Sequence, residues 1–301
     1  MGHIITDLKE TFRRGNIFIQ LIYINVSIFI IGTLINVFLQ LFQHSIPDIF
    51  GIFALPASFI RFFHQPWSII TYMFMHAGLL HILFNMLWLY WFGSLFLHFF
   101  SAKHLRGLYI LGGILGGLLY MVAYNVFPLF NQEVAVSTLV GASASVLAIV
   151  AATAYREPNY RVQLFLFGAI RLKYLALVVI GIDVLSITSS NAGGHIAHLG
   201  GALAGLWFAA SLSKGTDLTS WINWILDGFA SLFQKKTWKR KPKMKVHYGN
   251  SATGREKDYD YNAHKKAQSD EVDRILEKLK KSGYDSLTTE EKKSLFDASK
   301  R

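Results

Sequence analysis

The sequence predicts an all-α polytopic membrane protein, and three observations carry that prediction. Hydrophobic residues make up 52% of the 301, and charged residues only 16%, against roughly 25% in ordinary soluble domains. The few charges also avoid long stretches. Only Asp48 and Arg61 fall between Gly15 and Phe100, only Glu133 between Gly107 and Tyr155, and only Asp183 between Tyr174 and Ser213. Finally, the basic residues cluster at regular intervals between apolar segments of about 20 residues, the length that crosses a hydrocarbon core of roughly 30 Å.

Six spans follow, at about 17–42, 72–98, 107–127, 138–155, 174–188 and 195–213, the fifth being short. The first is too long for the apolar core of a signal peptide and has no small-residue cleavage site, so it is expected to be retained. Placing the N-terminus, the loops 99–106 and 156–173 and everything after 213 on one side collects all 30 Lys and Arg residues there except Arg61. The positive-inside rule makes that side cytoplasmic, and the expected location is a cell (plasma or inner) membrane, crossed several times. The net charge of +11 then reflects topology, and no nucleic-acid partner is expected. The expected partners are the bilayer and transmembrane protein substrates, and oligomeric state is not readable. Cysteine is absent, which removes disulfides, thiolate ligands and a cysteine nucleophile.

Along the chain, residues 1–16 form a short cytoplasmic lead and 17–213 the membrane domain. In the first span Asn25 and Asn36 could bond to other helices. Residues 43–70 form an outer loop whose apolar pairs, such as Phe62-Phe63, suit the membrane interface. The third span carries Gly112-Gly113 and Gly116-Gly117, a seam for close helix packing. Residues 214–245 combine an amphipathic interfacial helix with the basic cluster Lys235 to Lys245, suited to an anionic leaflet. A polar, unstructured linker is expected over 246–268. The last segment, 269–301, reads as a small helical hairpin, with Gly283 as a helix stop and Thr288–Glu291 as a capping box. That tail holds no catalytic set.

The chemistry-bearing residues sit in three spans. Gly141-Ala142-Ser143-Ala144-Ser145 precedes an aliphatic run, placing Ser143 near a helix entrance where backbone N–H groups are free. Such Gly/Ala/Ser runs also serve simply as packing faces. His81 and Asn85, four residues apart, share one helical face of the second span, and two polar groups facing one way in a membrane call for a polar cavity or partners. In the sixth span His198, Gly201 and Gly205 fall near one face. Something must approach that face closely, and the helix bearing Ser143 is the obvious partner. A neutral imidazole could take the hydroxyl proton, so Ser143 and His198 fit nucleophile and general base. Asn85, His81 and the Ser143 N–H could stabilise an oxyanion. No acid is conveniently placed to orient the histidine; Asp183 is expected in a helix–helix or loop hydrogen bond. Ser145, half a turn deeper, is expected to bond the carbonyl four residues back.

His76…His81-x-x-x-Asn85, Gly141-x-Ser143 and His198-x-Gly200-Gly201-x-x-x-Gly205 together resemble rhomboid intramembrane serine proteases of the bacterial, six-helix type. The resemblance covers about residues 17–213. It implies a Ser143–His198 dyad, an oxyanion hole of Asn85, His81 and backbone N–H groups, supporting roles for Gly141, Gly201 and Gly205, and neither metal nor cofactor. The sequence departs from the family at Ala144, usually glycine, where a methyl could crowd the oxyanion site. It departs also at Ser68 after Trp67, at Leu97 and at Leu147. Two other readings compete. An inactive rhomboid-like protein would bind membrane helices without cutting them. A metal-dependent hydrolase would use His76, His81, His195 and His198, but the sequence lacks H-E-x-x-H and an intramembrane glutamate base.

The topology is tested with reporter fusions. Fusions after residues 104, 165 and 240 should report cytoplasmic, and fusions near 55, 131 and 190 external. A cytoplasmic signal at 131 would put Ser143 at the wrong face of the membrane.

Overall fold

The structure, a computed structural model, describes residue 12 and residues 15–42, 49–164, 168–233 and 253–299. Six apolar helices form a polytopic bundle: α1 (Ile17–Leu41), α2 (Leu79–Phe96), α3 (Ala102–Val126), α4 (Ser143–Arg156), α5 (Leu172–Leu185) and α6 (Ala192–Ser213). Shorter helical turns are given by their ranges. Four of the six, α1, α2, α3 and α6, are long and apolar enough to cross a membrane by themselves. The other two have 14 residues each, about 21 Å at 1.5 Å per residue.

The shortness of α4 differs from the expected span 138–155. Residues 138–142 are not helical. Thr138–Leu139 instead pairs antiparallel with Leu55–Pro56, and Gly141, at φ +128°, turns the chain into the helix. The N–H of Gly141 donates to the Tyr72 carbonyl at 2.9 Å, and that of Ala57 to the Ser137 carbonyl at 3.0 Å. Backbone that leaves helical geometry inside a membrane protein must find such partners, because lipid offers none. The second span differs for a related reason. Residues 68–74 form a short α-helix and a 3₁₀ turn, and the regular helix begins only after Gly78.

At the centre stands α4, in which every residue from Ala144 to Ala154 is buried. Helices in lipid gain little from hydrophobic burial against one another, so close backbone approach through small residues holds them together. A Cβ on Gly201 would run into the Ala144 carbonyl oxygen, and one on Gly205 into that of Ala148. From α3, Gly112 lies against Ala148, and a Cβ on Gly116 would be 2.6 Å from the Ala144 Cβ and 2.7 Å from the Ala197 carbonyl oxygen. Three helices thus meet at backbone distance along one seam. Gly113 and Gly117 face the other way, toward Met73 and Leu55, where the Tyr72 hydroxyl donates to the Gly113 carbonyl at 2.6 Å.

Asn25 tethers α1, donating to the Tyr109 hydroxyl at 3.1 Å, while Tyr109 donates to the Met73 carbonyl at 3.2 Å. Among the described residues Asn36 makes no such cross-helix bond; its Oδ1 accepts from Gln40 within α1. The outer loop contributes short helices at Phe59–His64 and Ser68–Thr71 and leaves Ile60 and Phe63 about three-quarters exposed, as an interfacial segment would. Arg61 reaches across to the Ala135 carbonyl at 3.2 Å. A hairpin of Arg161–Leu164 and Gly168–Arg171 precedes α5.

After α6, helix α7 (Ser220–Phe233) is fastened to the start of α3. Arg106 donates to Asn223 at 2.6 Å and pairs with Asp227, and Lys103 pairs with Asp227 at 3.3 Å. The Arg106 hydrogen bond holds the Asp227 carboxyl below its usual range. The chain divides into two compact units, Met1–Lys235 and Lys236–Arg301. In the second, α8 (Thr253–Ser282) and α9 (Thr289–Ser299) flank a 3₁₀ turn. Gly283 adopts φ +75°. The Thr288 N–H donates to Glu291 at 2.8 Å and the Glu291 N–H to Thr288 Oγ1 at 3.3 Å. The expectation of an unstructured linker to residue 268 is corrected from Thr253 onward. The segment is polar, but half of residues 253–268 are Lys, Glu, Arg, Ala or Gln, all good helix formers. The basic cluster 235–245 and residues 246–252 lie outside the described residues.

Packing at the seam is tested by paired glycine substitutions. Gly205→Val drives a side chain into the Ala148 carbonyl and should lower the unfolding midpoint in detergent, at a cost of about 1–3 kcal/mol or more. Gly181→Ala, where nothing lies within 4 Å, should leave the midpoint unchanged or raise it slightly. Equal behaviour of the two variants would refute backbone-contact packing.

Candidate active site

Ser143 is the first residue of α4, and the residue before it, Ala142, provides no side-chain cap. The opening N–H groups of a helix have no carbonyl of their own helix to reach. An uncapped helix start beside a hydroxyl therefore presents donors and the positive end of the helix dipole to any anion forming there. Gly141 has two reasons to be glycine. Its φ of +128° disfavours a side chain, and a Cβ there would stand 2.8 Å from the His81 ring and 3.7 Å from Ser143 Oγ. The His81 imidazole and the Ser143 hydroxyl thus flank the same glycine.

Both line a cavity of about 690 Å³, together with Asn85 and His198. The four residues expected to carry the chemistry, from three helices, share one chamber. Asn85 is buried and spends one N–H on the His81 carbonyl at 2.8 Å, which fixes the amide while leaving its second N–H uncommitted by that bond. Polar side chains the sequence reading passed over also reach the chamber, including Tyr120, Tyr124, Ser137 and Asn191. The Tyr120 hydroxyl is buried without a partner. Nothing in the sequence marked these as polar wall: Tyr120 and Tyr124 come from α3, Asn191 from the start of α6 and Ser137 from the segment before α4.

Ser145 lies apart from this chamber. It is fully buried, and its hydroxyl makes no hydrogen bond, so the expected bond to the carbonyl four residues back is absent. That carbonyl belongs to Gly141, whose left-handed turn takes it out of helical register. Ala144, expected to crowd the oxyanion site, stands at a helix contact. Its methyl packs against Gly116 and its carbonyl against Gly201; it fills a helix contact and is not part of the chamber wall.

The main correction concerns the acid. Asp183, in the last turn of α5, does bridge helices, as expected, but its partner is the candidate base. Asp183 Oδ1 lies 2.8 Å from His198 Nδ1 and 2.8 Å from His195 Nδ1, and its side chain is about 5% exposed. The signal available in the sequence was that this is the lone carboxylate in an apolar span. What hid its partner was the tight connection 186–191, which folds α6 back along α5. Asp183, His195 and His198 are the described residues whose donor atoms, within 4.8 Å of one another, could hold a metal ion. Hydrogen bonds from two rings to one oxygen account for the same arrangement. Of the four histidines of the metal reading, that set of described residues contains only His195 and His198, whose rings lie edge-on at 5.9 Å, while His76 packs edge-on to His81 at 5.2 Å.

Residues 64–215 match the rhomboid domain family, and residues 255–301 a family of unknown function (DUF6576). The chain is similar to RHOMBOID-like protein 12, mitochondrial, of Arabidopsis thaliana. Identity is 29% over 157 residues, 49% of this chain and 47% of that protein. It is also similar to Presenilin-associated rhomboid-like protein A, mitochondrial, of Danio rerio, with 30% identity over 139 residues, 45% of this chain and 34% of that protein. The match spans less than half the length of each of these relatives.

Proposed function

The chain belongs to the rhomboid family, and on that premise we propose that it is an intramembrane serine endopeptidase acting through Ser143 and His198. The observation that carries the proposal is that Ser143, at an uncapped helix start, shares one chamber with His198, His81 and Asn85. A protein that only bound membrane helices would need none of these four side chains gathered in a polar cavity.

In this reading His198 Nε2 takes the Ser143 proton as Oγ bonds to the substrate carbonyl carbon. The carbonyl electrons move onto oxygen, where the Ser143 N–H, Asn85 and His81 stabilise the charge. The imidazolium returns the proton to the leaving nitrogen as the C–N bond breaks, and water then hydrolyses the acyl-enzyme by the same relay. Substrates would be single-span membrane proteins whose helices unwind readily near the outer leaflet. The basic-residue distribution supports a multi-pass protein of a cell (plasma or inner) membrane with both termini cytoplasmic. The two relatives are named as mitochondrial proteins, so the membrane itself is settled by fractionation.

Identification of the nucleophile comes first. Labelling of detergent-purified protein with a fluorophosphonate probe, and cleavage of a model transmembrane substrate, should both vanish in Ser143→Ala and persist in Ser145→Ala. Labelling that survives Ser143→Ala and disappears in Ser145→Ala would overturn the register of the site, and a parent protein that neither labels nor cleaves would favour the inactive helix-binding alternative.

The oxyanion site gives an independent measurement. Asn85→Ala should lower kcat by about 10²–10³, or roughly 3–4 kcal/mol, with the unfolding midpoint retained. Parent-level turnover in the Asn85→Ala, His81→Ala double variant would reduce both residues to packing contacts.

A further inference from the structure

Asp183 is a buried carboxylate in a membrane helix. Such a charge is costly unless hydrogen bonds compensate it. Its compensation comes from the two imidazoles of α6, each with Nδ1 at 2.8 Å from the same oxygen, Oδ1. A carboxylate only accepts hydrogen bonds, so each ring must place its proton on Nδ1. For His198 that assignment has a chemical consequence: the neutral ring then carries its lone pair on Nε2. A base that is to take a serine proton needs that tautomer.

We propose that Asp183 is a positioning residue for His198, so that the reaction runs on Ser143, His198 and Asp183 rather than on a serine and histidine alone. The inference rests on the serine protease reading above. Asp183 does not touch the substrate. It holds the imidazole by Nδ1, fixes the rotation of the ring on α6, and faces the positive charge that develops when Nε2 accepts the proton. No proton passes to the carboxylate. His195, one turn earlier on α6 and outside the chamber wall, is the second donor that keeps Oδ1 in place. The burial of Asp183 is what gives the contact its strength, since neither water nor lipid competes for the oxygen.

The test begins on the parent chain and needs no altered fold. Protein labelled with ¹⁵N-histidine, with His198→Gln used to assign the resonance, should show neutral His198 protonated at Nδ1 with a strongly downfield N–H proton. A neutral His198 protonated at Nε2 would overturn the proposal outright. Kinetics provide the second measurement. Asp183→Asn should lower kcat by about 10²–10⁴ with KM within about threefold and the unfolding midpoint retained, and Asp183→Glu should recover part of the loss. A folded Asp183→Asn variant with parent kcat overturns the triad while leaving Ser143-dependent cleavage standing. Cleavage that survives Ser143→Ala would instead sink the protease reading, so the two failures are separable. Should Asp183→Asn fail to fold, the tautomer of the parent protein decides.

Discussion

The arrangement depends on one constraint: backbone that is not helical cannot face lipid. Residues 138–142 leave helical geometry inside the bundle, so their polar groups must be met from within. The Leu55–Pro56 strand, the Tyr72 carbonyl and the start of α4 meet them. The same departure from regularity creates the chamber, because a helix that begins late leaves unfilled space above its first turn. Ser143 stands at the floor of that space, where the helix start is bare. A straight span over 138–155 would have buried the serine among alkyl side chains with its N–H groups already bonded.

The glycine seam is the counterpart of that opening. With Ala144 to Ala154 all buried, the position of α4 is set largely by direct contact with α3 and α6, and Gly112, Gly116, Gly201 and Gly205 allow those contacts at backbone distance. His198 is on the same helix as Gly201 and Gly205, so the contact that locks α6 against α4 also sets the height of the imidazole relative to Ser143. Ala144 belongs to this contact. Its methyl and carbonyl are consumed by the neighbouring helices, which is why an alanine in place of the usual glycine leaves the chamber wall untouched.

Much of this was legible in the sequence, because membrane chains write their organisation in charge and small residues. The gaps between charged residues marked the six helices, and the spacing of His198, Gly201 and Gly205 pointed to the close approach to α4. Element ends were less legible: α2 starts at Leu79 and α4 at Ser143, each later than expected, because hydropathy does not distinguish a helix from an apolar segment folded into a bundle. The link between Asp183 and His198 was illegible for a different reason. It spans two helices and depends on how the chain turns between them, and no periodic pattern records a contact of that kind. The helical start of α8 at Thr253 was missed because a charged, polar segment was read as unstructured, although it carries Arg, Glu, Lys, Ala and Gln, which are good helix formers.

The length of α5 also bears on the surrounding bilayer. Its 14 residues extend about 21 Å, while Leu177, Val178, Ile182 and Leu185 point outward and are more than half exposed. Against a hydrocarbon core ordinarily about 30 Å thick, a helix of that length is short by roughly 9 Å, a mismatch that costs fractions of a kcal/mol per Å whether lipid thins or flanking side chains reach outward.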